Sequence, residues 1–179
     1  MRHIIALVLA CLPALAAAND WAALKEPGTL AIMRHALAPG ASDPRGFTLG
    51  DCTTQRNLDA RGRAQARAIG AAFRERGVTF DTVFTSQWCR CRDTARLLDL
   101  GPVEEAAALN SFFQDFSREE ARTRAARDLI AKTGGKRMLV THQVNISALT
   151  GRKTRSGEVL VIRMDGDRAT VLGSILIAP

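Results

Sequence analysis

Two apolar runs of strand length in this chain each stop at a histidine. Leu30, Ala31, Ile32 and Met33 lead into Arg34 and His35, and Met138, Leu139, Val140 and Thr141 lead into His142. Runs this short, bounded by turn residues, read as buried strands. Residues 80–85 form a third, β-rich run between them. Helix signals fill the gaps. Residues 59–76 place Ala64, Ala68, Ile69, Ala72 and Phe73 on one stripe behind an Asp59 N-cap, and Gly77 stops them. Residues 88–99 read as a second helix, ended by Gly101 and Pro102. Ser117 with Glu120 forms a capping box for a third, running to about Lys132, and residues 143–149 form a short fourth before Gly151. Residues 37–54 are a loop, and residues 103–116 a short edge strand and loop. At the end, residues 158–164 and 169–177 straddle Asp165, Gly166 and Asp167, a hairpin signal. The order specifies an α/β fold: three-layer αβα, with a mostly parallel central sheet and an antiparallel C-terminal hairpin at the edge.

The first 18 residues are set aside before that fold is drawn. Met1, Arg2 and His3 make a basic start, residues 4–15 are nearly all apolar, and Ala16, Ala17 and Ala18 offer a small-residue cleavage site before Asn19. The apolar run falls short of the ~20 residues that span a bilayer. Residues 1–18 therefore read as a signal peptide, residues 19–179 as one domain, and the expected location is periplasmic or secreted. Lipidation at Cys11 is the lesser alternative, since the apolar stretch before it is very short. No later segment is apolar enough for a membrane span.

The net charge is +7, carried mostly by arginine. Such a surface attracts polyanions. The charges are scattered, however, and tyrosine is absent, so a nucleic-acid partner is not expected. Cys52, Cys89 and Cys91 remain after cleavage, and an oxidising compartment favours a disulfide. Cys89 and Cys91 are too close to pair easily, so Cys52 pairs with one of them and leaves one thiol. A zinc site of cysteine and histidine is the rival reading, and a weaker one, because the histidines have another use.

That use follows from position. In open α/β sheets, ligands bind beyond the carboxyl ends of the strands. His35 and His142 stand there, with Arg34 beside the first. Ser86, Gln87, Trp88, Cys89, Arg90, Cys91, Arg92, Asp93, Thr94 and Ala95 follow the second strand. Arg-His at one strand end, Ser-x-x-x-Arg-x-x-x-Thr-Ala at the next and a later strand-ending histidine together resemble the histidine phosphatase superfamily, which includes phosphoglycerate mutases and histidine acid phosphatases. Leu58, Asp59, Gly62, Gln65 and Ala66 resemble its helix entrance. The resemblance covers about residues 30–151. It implies that Arg34, Arg90 and His142 bind phosphate while His35 attacks phosphorus and carries the phosphoryl group, with no cofactor and no metal. The chemistry is consistent: guanidinium forks match phosphate oxygens, and a neutral imidazole is a competent nucleophile near neutral pH. Arg92 and Arg96 read as solvated, Arg56 as either a substrate contact or an ion-pair partner, and Thr141 and Gln143 as supports of His142.

The pattern departs from the family at three places. Ala36 stands where the family often has glycine, Gln143 where the acid phosphatases have aspartate, and residues 109–112 lack the glutamate of the mutase-like branch. A proton donor for the leaving group is therefore not given by the resemblance. Glu158, opening the strand after the His142 helix, is the first choice, with Asp51 and Asp43 as rivals; a substrate that leaves unaided needs none. The expected function is an exported phosphatase acting on phosphate monoesters through a phosphohistidine. Its partners would be small phosphorylated metabolites or phosphorylated envelope glycans. The alternative is a phosphate-ligand binding protein with weak or lost catalysis.

Overall fold

A computed structural model describes residues 19–177; the proposed signal peptide and Cys11 lie outside them. Six strands form one sheet in the order β3-β2-β4-β1-β5-β6. They are β1 (Thr29–Arg34), β2 (Thr82–Thr85), β3 (Val103–Glu105), β4 (Arg137–Thr141), β5 (Val159–Asp165) and β6 (Arg168–Ile175). The first four pair in parallel; β5 runs antiparallel to β1, and β6 antiparallel to β5. The mixed sheet with its terminal hairpin is the architecture that the alternation of strand and helix signals specifies.

The three layers follow from the two-residue period of strand side chains. Ala31 and Met33 of β1, Met138 and Val140 of β4, and Val159 and Val161 of β5 face one way. They bury Ile69 and Phe73 of helix α1 (Ala60–Arg74), and Cys91, Ala95 and Leu98 of helix α2 (Cys89–Leu98). The alternate residues Leu30, Ile32, Leu139, Leu160 and Ile162 face the other way. They meet Ala126 and Ile130 of helix α3 (Glu119–Lys132), and Ile146 and Leu149 of helix α4 (Gln143–Thr150). Because β1, β4 and β5 are covered on both faces, their sequences are apolar without alternation.

One helix start differs from the sequence-based expectation. Ser117 and Glu120 form no capping box here. The Asp115 carboxylate accepts from the Ser117 N–H and hydroxyl, which winds Phe116–Arg118 into a 3-10 turn, and α3 begins only at Glu119. A side chain that bonds its own backbone two residues on competes with the helix start. The other boundaries lie within two or three residues of the reading above, and Gly151 ends α4 at φ +71° as a left-handed cap.

Beyond the carboxyl ends of β1, β2 and β4, three turns converge. Residues 35–59 form the longest, from β1 to α1, and it is tied down at several points. Asp59 caps α1 through the Gly62 N–H. Gln65, buried in α1, accepts from the Leu37 N–H and donates to the Ser156 and Ile177 carbonyls. Cys52 and Cys89 form a disulfide with a Cα–Cα separation of 5.7 Å, linking this loop to the first residue of α2. Cys91 is the remaining thiol, and it is buried. The Cys89 N–H is also held by the Gln55 side chain. Closing a ring of this length is worth ~2–4 kcal/mol through the unfolded chain.

Gly62 marks a close approach: a Cβ there would land on the Leu37 carbonyl, two residues past His35. Alanine would gain about 1 kcal/mol of helix propensity and lose about 1–3 kcal/mol to overpacking. We expect Gly62→Ala to be net destabilising in urea melts; a stabilised variant would show that the loop yields freely. Thiol titration of the unfolded, unreduced protein should find one free thiol among Cys52, Cys89 and Cys91.

Candidate active site

The strand ends bring His35 and His142 together with ring centroids 5.6 Å apart, in an edge-to-face arrangement. Both rings are buried. His35 follows β1, and its N–H bonds the Thr141 carbonyl of β4, which locks the two strand ends in register. The His35 Nδ1–H donates to the Ala36 carbonyl at 2.8 Å. That fixes the tautomer, because a carbonyl only accepts. Nε2 therefore carries the lone pair, and it faces the Nε–H of Arg90 at 3.2 Å. Nε2 is thus the nitrogen with a lone pair, held by Arg90 in this structure; the His35 ring is buried and is not among the residues that line the cavity beside it.

His142 has the opposite tautomer. Arg90 Nη2 donates to its Nδ1 at 3.4 Å, so the Nε2–H donates to Ser86 Oγ at 2.8 Å. Ser86 Oγ donates onward to Asn110 Oδ1, which also accepts the Gln87 N–H. The Cys91 sulfur lies 3.5 Å from Nε2, and its S–H points at the Thr141 carbonyl. When an anion meets Nδ1, the proton must sit there instead. The Ser86 hydroxyl can then turn and donate to Nε2, so His142 can serve as a hydrogen-bond donor without being charged.

Arg90, buried on the first turn of α2, is the hub. Its Nε edge touches His35, Nη2 touches His142, and both terminal nitrogens grip the Asp43 carboxylate at 2.8 and 3.1 Å. The pair is almost sealed, with 4% of the arginine and 7% of the aspartate side chain exposed. Asp43 also accepts the Trp88 indole N–H at 3.1 Å and the Arg56 backbone N–H at 3.0 Å. Thr94, one turn along α2, donates to the Arg90 carbonyl and accepts the Ala36 N–H, joining the helix to the His35 turn.

Arg34 reaches the same cavity from the end of β1, with Nη1 on the Thr154 carbonyl at 3.4 Å. Arg56 enters from the loop, donating to the Ala38 and Gly40 carbonyls. The Nε of each is buried without a partner. Three guanidinium groups and one carboxylate thus surround two imidazoles. The electrostatic cost falls on the ionisable groups. Burial first, and Arg90 second, push both imidazoles well below the ordinary histidine range, so they are neutral near pH 7. Burial and Arg90 bring Arg56 down to about 10, and burial pushes the Cys91 thiol up to about 12. An anion entering here would relieve that accumulated positive charge.

The cavity holds about 610 Å³. Beyond the charged end, Phe47, Trp88, Phe112, Phe113 and Val144 supply apolar walls, and Asp115 and Arg118 pair at the mouth. Gln143 lines it too, its carbonyl oxygen held by Thr154. Thr141 does not; its hydroxyl bonds the Leu109 carbonyl.

Of the residues singled out in the sequence, Arg34, His35, Arg90 and His142 are brought together. Glu158 is not with them. Its carboxylate accepts from Ser174 Oγ and the Arg155 N–H, and that carboxylate makes no hydrogen bond to either histidine or to Arg34 or Arg90. Asp51 also stands apart, its exposed carboxylate turned onto Thr53. Asp43 is only a rival in the sequence reading, yet its carboxylate is the one on Arg90. Ser86 belongs to a sequence motif, but its bond to His142 has no sequence signal. Nor do the aromatic walls. Among the described residues, no group of three or more His, Cys, Asp or Glu could hold a metal.

The sequence pattern of the histidine phosphatase superfamily (branch 1) matches residues 30–112. No curated protein matches the chain. Solved structures do share the fold. One described as a putative phosphohistidine phosphatase, SixA from Agrobacterium tumefaciens, aligns at 20% identity over 85% of this chain and 99% of its own, with a TM-score of 0.61. One described as a putative alpha-ribazole-5'-P phosphatase, from Escherichia coli, aligns at 23% identity over 81% and 95%, at 0.58. A phosphoglycerate mutase from Thermus thermophilus aligns at 18% identity over 84% and 99%, at 0.61.

The buried neutral imidazoles make a stability prediction. Both fold with depressed affinity for protons, so the unfolded chain binds more of them once the pH falls below ~6.5. The histidine contribution should be level above that point. It should then fall with acid by up to ~1.4 kcal/mol per histidine per pH unit, until the folded groups protonate. Urea melts across this range measure it; a profile flat below the ordinary histidine range would mean that the rings are solvated.

Proposed function

We propose that this chain, with the histidine phosphatase superfamily match and the shared fold as premise, is an exported phosphatase that hydrolyses phosphate monoesters through a phosphohistidine on His35. The observation that carries the reading is the His35 Nε2 lone pair, held toward a guanidinium in a cluster of buried positive charge. Arg34 and Arg90 supply donors for the oxygens of a phosphoryl group, and His142 adds one more once its proton shifts to Nδ1. Such fixed donors stabilise charge in a dry site without reorganising. The Nε2 pair forms an N–P bond as the ester P–O bond breaks. Water then attacks the same phosphorus and returns the pair to Nε2, releasing inorganic phosphate.

The aromatic walls favour esters with a sizeable organic group, either phosphorylated metabolites or phosphorylated glycans of the cell envelope. Export is supported by the composition of residues 1–18 and by the Cys52–Cys89 disulfide. Among the described residues, no helix is long and apolar enough to cross a membrane.

Purified protein should hydrolyse p-nitrophenyl phosphate with or without chelator. His35→Ala should lose at least ~10³-fold of that rate, as loss of an attacking group does. Rapid quenching in alkali should trap phosphate on His35, read by mass spectrometry of the peptide. Turnover that persists in His35→Ala would end the proposal. Tight phosphate binding with no turnover would favour the binding-protein alternative. Protein recovered from a host's periplasmic fraction should begin at Asn19.

A further inference from the structure

Two carboxylates line the cavity among the described residues, Asp43 and Asp115. They are unlike. Asp115 is half-exposed at the mouth, committed to Ser117 and Arg118. Asp43 is buried at the charged end, on donors that a phosphoryl group would need. We propose that Asp43 is the proton donor to the leaving oxygen, held on Arg90 as a carboxylate until a phosphoryl group displaces it. The proposal rests on the phosphatase reading above and deepens it.

The geometry of Arg90 carries the inference. One guanidinium touches the nucleophile with its Nε edge and Asp43 with its two Nη groups. In-line attack by His35 Nε2 would direct the ester oxygen away from that nitrogen, and Asp43 lines the cavity from which an ester would enter. Two anions cannot share the fork without repulsion. A proton on Asp43, drawn from solvent as the ester seats, removes it. The loop that carries Asp43 turns through Gly40 and Gly46, at left-handed φ angles of +88° and +75°, and displacing the carboxylate means giving up its bonds from the Trp88 and Arg56 N–H groups as well.

The step then balances. As the Nε2 pair forms the N–P bond, the P–O pair passes to the ester oxygen, which takes the Asp43 proton and leaves as an alcohol. The Asp43 carboxylate next accepts a proton from water while that water's oxygen attacks phosphorus and the N–P pair returns to Nε2. Inorganic phosphate departs, Asp43 returns its proton to solvent, and the carboxylate settles again on Arg90.

The test compares two esters of similar shape with different leaving groups. Benzyl phosphate releases a poor leaving group, p-nitrophenyl phosphate a good one. Asp43→Asn should lower kcat/KM for benzyl phosphate by ~10²–10⁴-fold. The loss on p-nitrophenyl phosphate should be less than about tenfold, since that leaving group needs little help. Asp43→Glu should restore part of the benzyl reaction. Equal losses on both esters, or an unaffected benzyl reaction, would overturn the assignment. Should Asp43→Asn fail to fold, the wild type decides. Across a series of substituted phenyl phosphates, its rate should depend weakly on the leaving group; a steep dependence overturns the proposal. A wild type that turns over neither ester sinks the phosphatase reading itself, a result distinct from failure of Asp43 alone.

Discussion

A guanidinium buried beside two neutral imidazoles is the constraint around which the molecule is organised. Taking Arg90 out of water costs several kcal/mol unless an anion meets it. The chain answers with Asp43, gripped by both terminal nitrogens and by the Trp88 and Arg56 N–H groups. Arg34 and Arg56 still leave the cluster positive overall. The consequence runs through the fold. Holding like charges this near one another requires the rigid strand ends of β1 and β4, the α2 turn and a tethered loop. Any one of these alone would let the guanidinium groups drift apart.

Much of this is legible without coordinates. Short apolar runs that end in a histidine fit best at the carboxyl edge of a sheet, which turns His35 and His142 toward a common crevice. The spacing from Ser86 to Thr94 reads as a strand end and a helical turn, and the structure gives each a job. Ser86 bonds His142, Arg90 is the hub, and Thr94 braces Ala36. Cysteine counting narrows the disulfide to two partners, and only the fold distinguishes Cys89 from Cys91. The side chain of Cys91 turns inward to the core on the sheet side of α2.

What is not legible comes from the irregular segments. Glu158 is the first choice from sequence because it opens a strand beside the right edge, but the direction of a side chain there depends on register, and one residue decides the face. It turns to Ser174. Asp43 lies in a loop with no periodicity, whose path is set by contacts with α1 and α2 rather than by local preference. A loop carboxylate set among glycine, serine and proline, with Asp51 further along the same stretch, carries no mark of its destination. The same holds for the capping of α3, where Asp115 outcompetes the Ser117 and Glu120 pattern through a turn only the structure reveals.

The clasp between Cys52 and Cys89 limits how the crevice can open. Downstream of Phe47 the loop is anchored by that covalent link, by Gln55 on the Cys89 N–H and on the Thr48 carbonyl, and by Thr54 on the Thr48 N–H. Upstream, Leu37 is stapled to Gln65. The arc from Ala38 to Phe47 between these posts is fastened by side-chain hydrogen bonds, from Arg56 to the Ala38 and Gly40 carbonyls and from Arg90, Trp88 and the Arg56 N–H to Asp43. It resembles the bail of a bucket, with Asp43 near its midpoint: a guest that took over the Arg90 fork would unfasten a short handle while the vessel kept its shape.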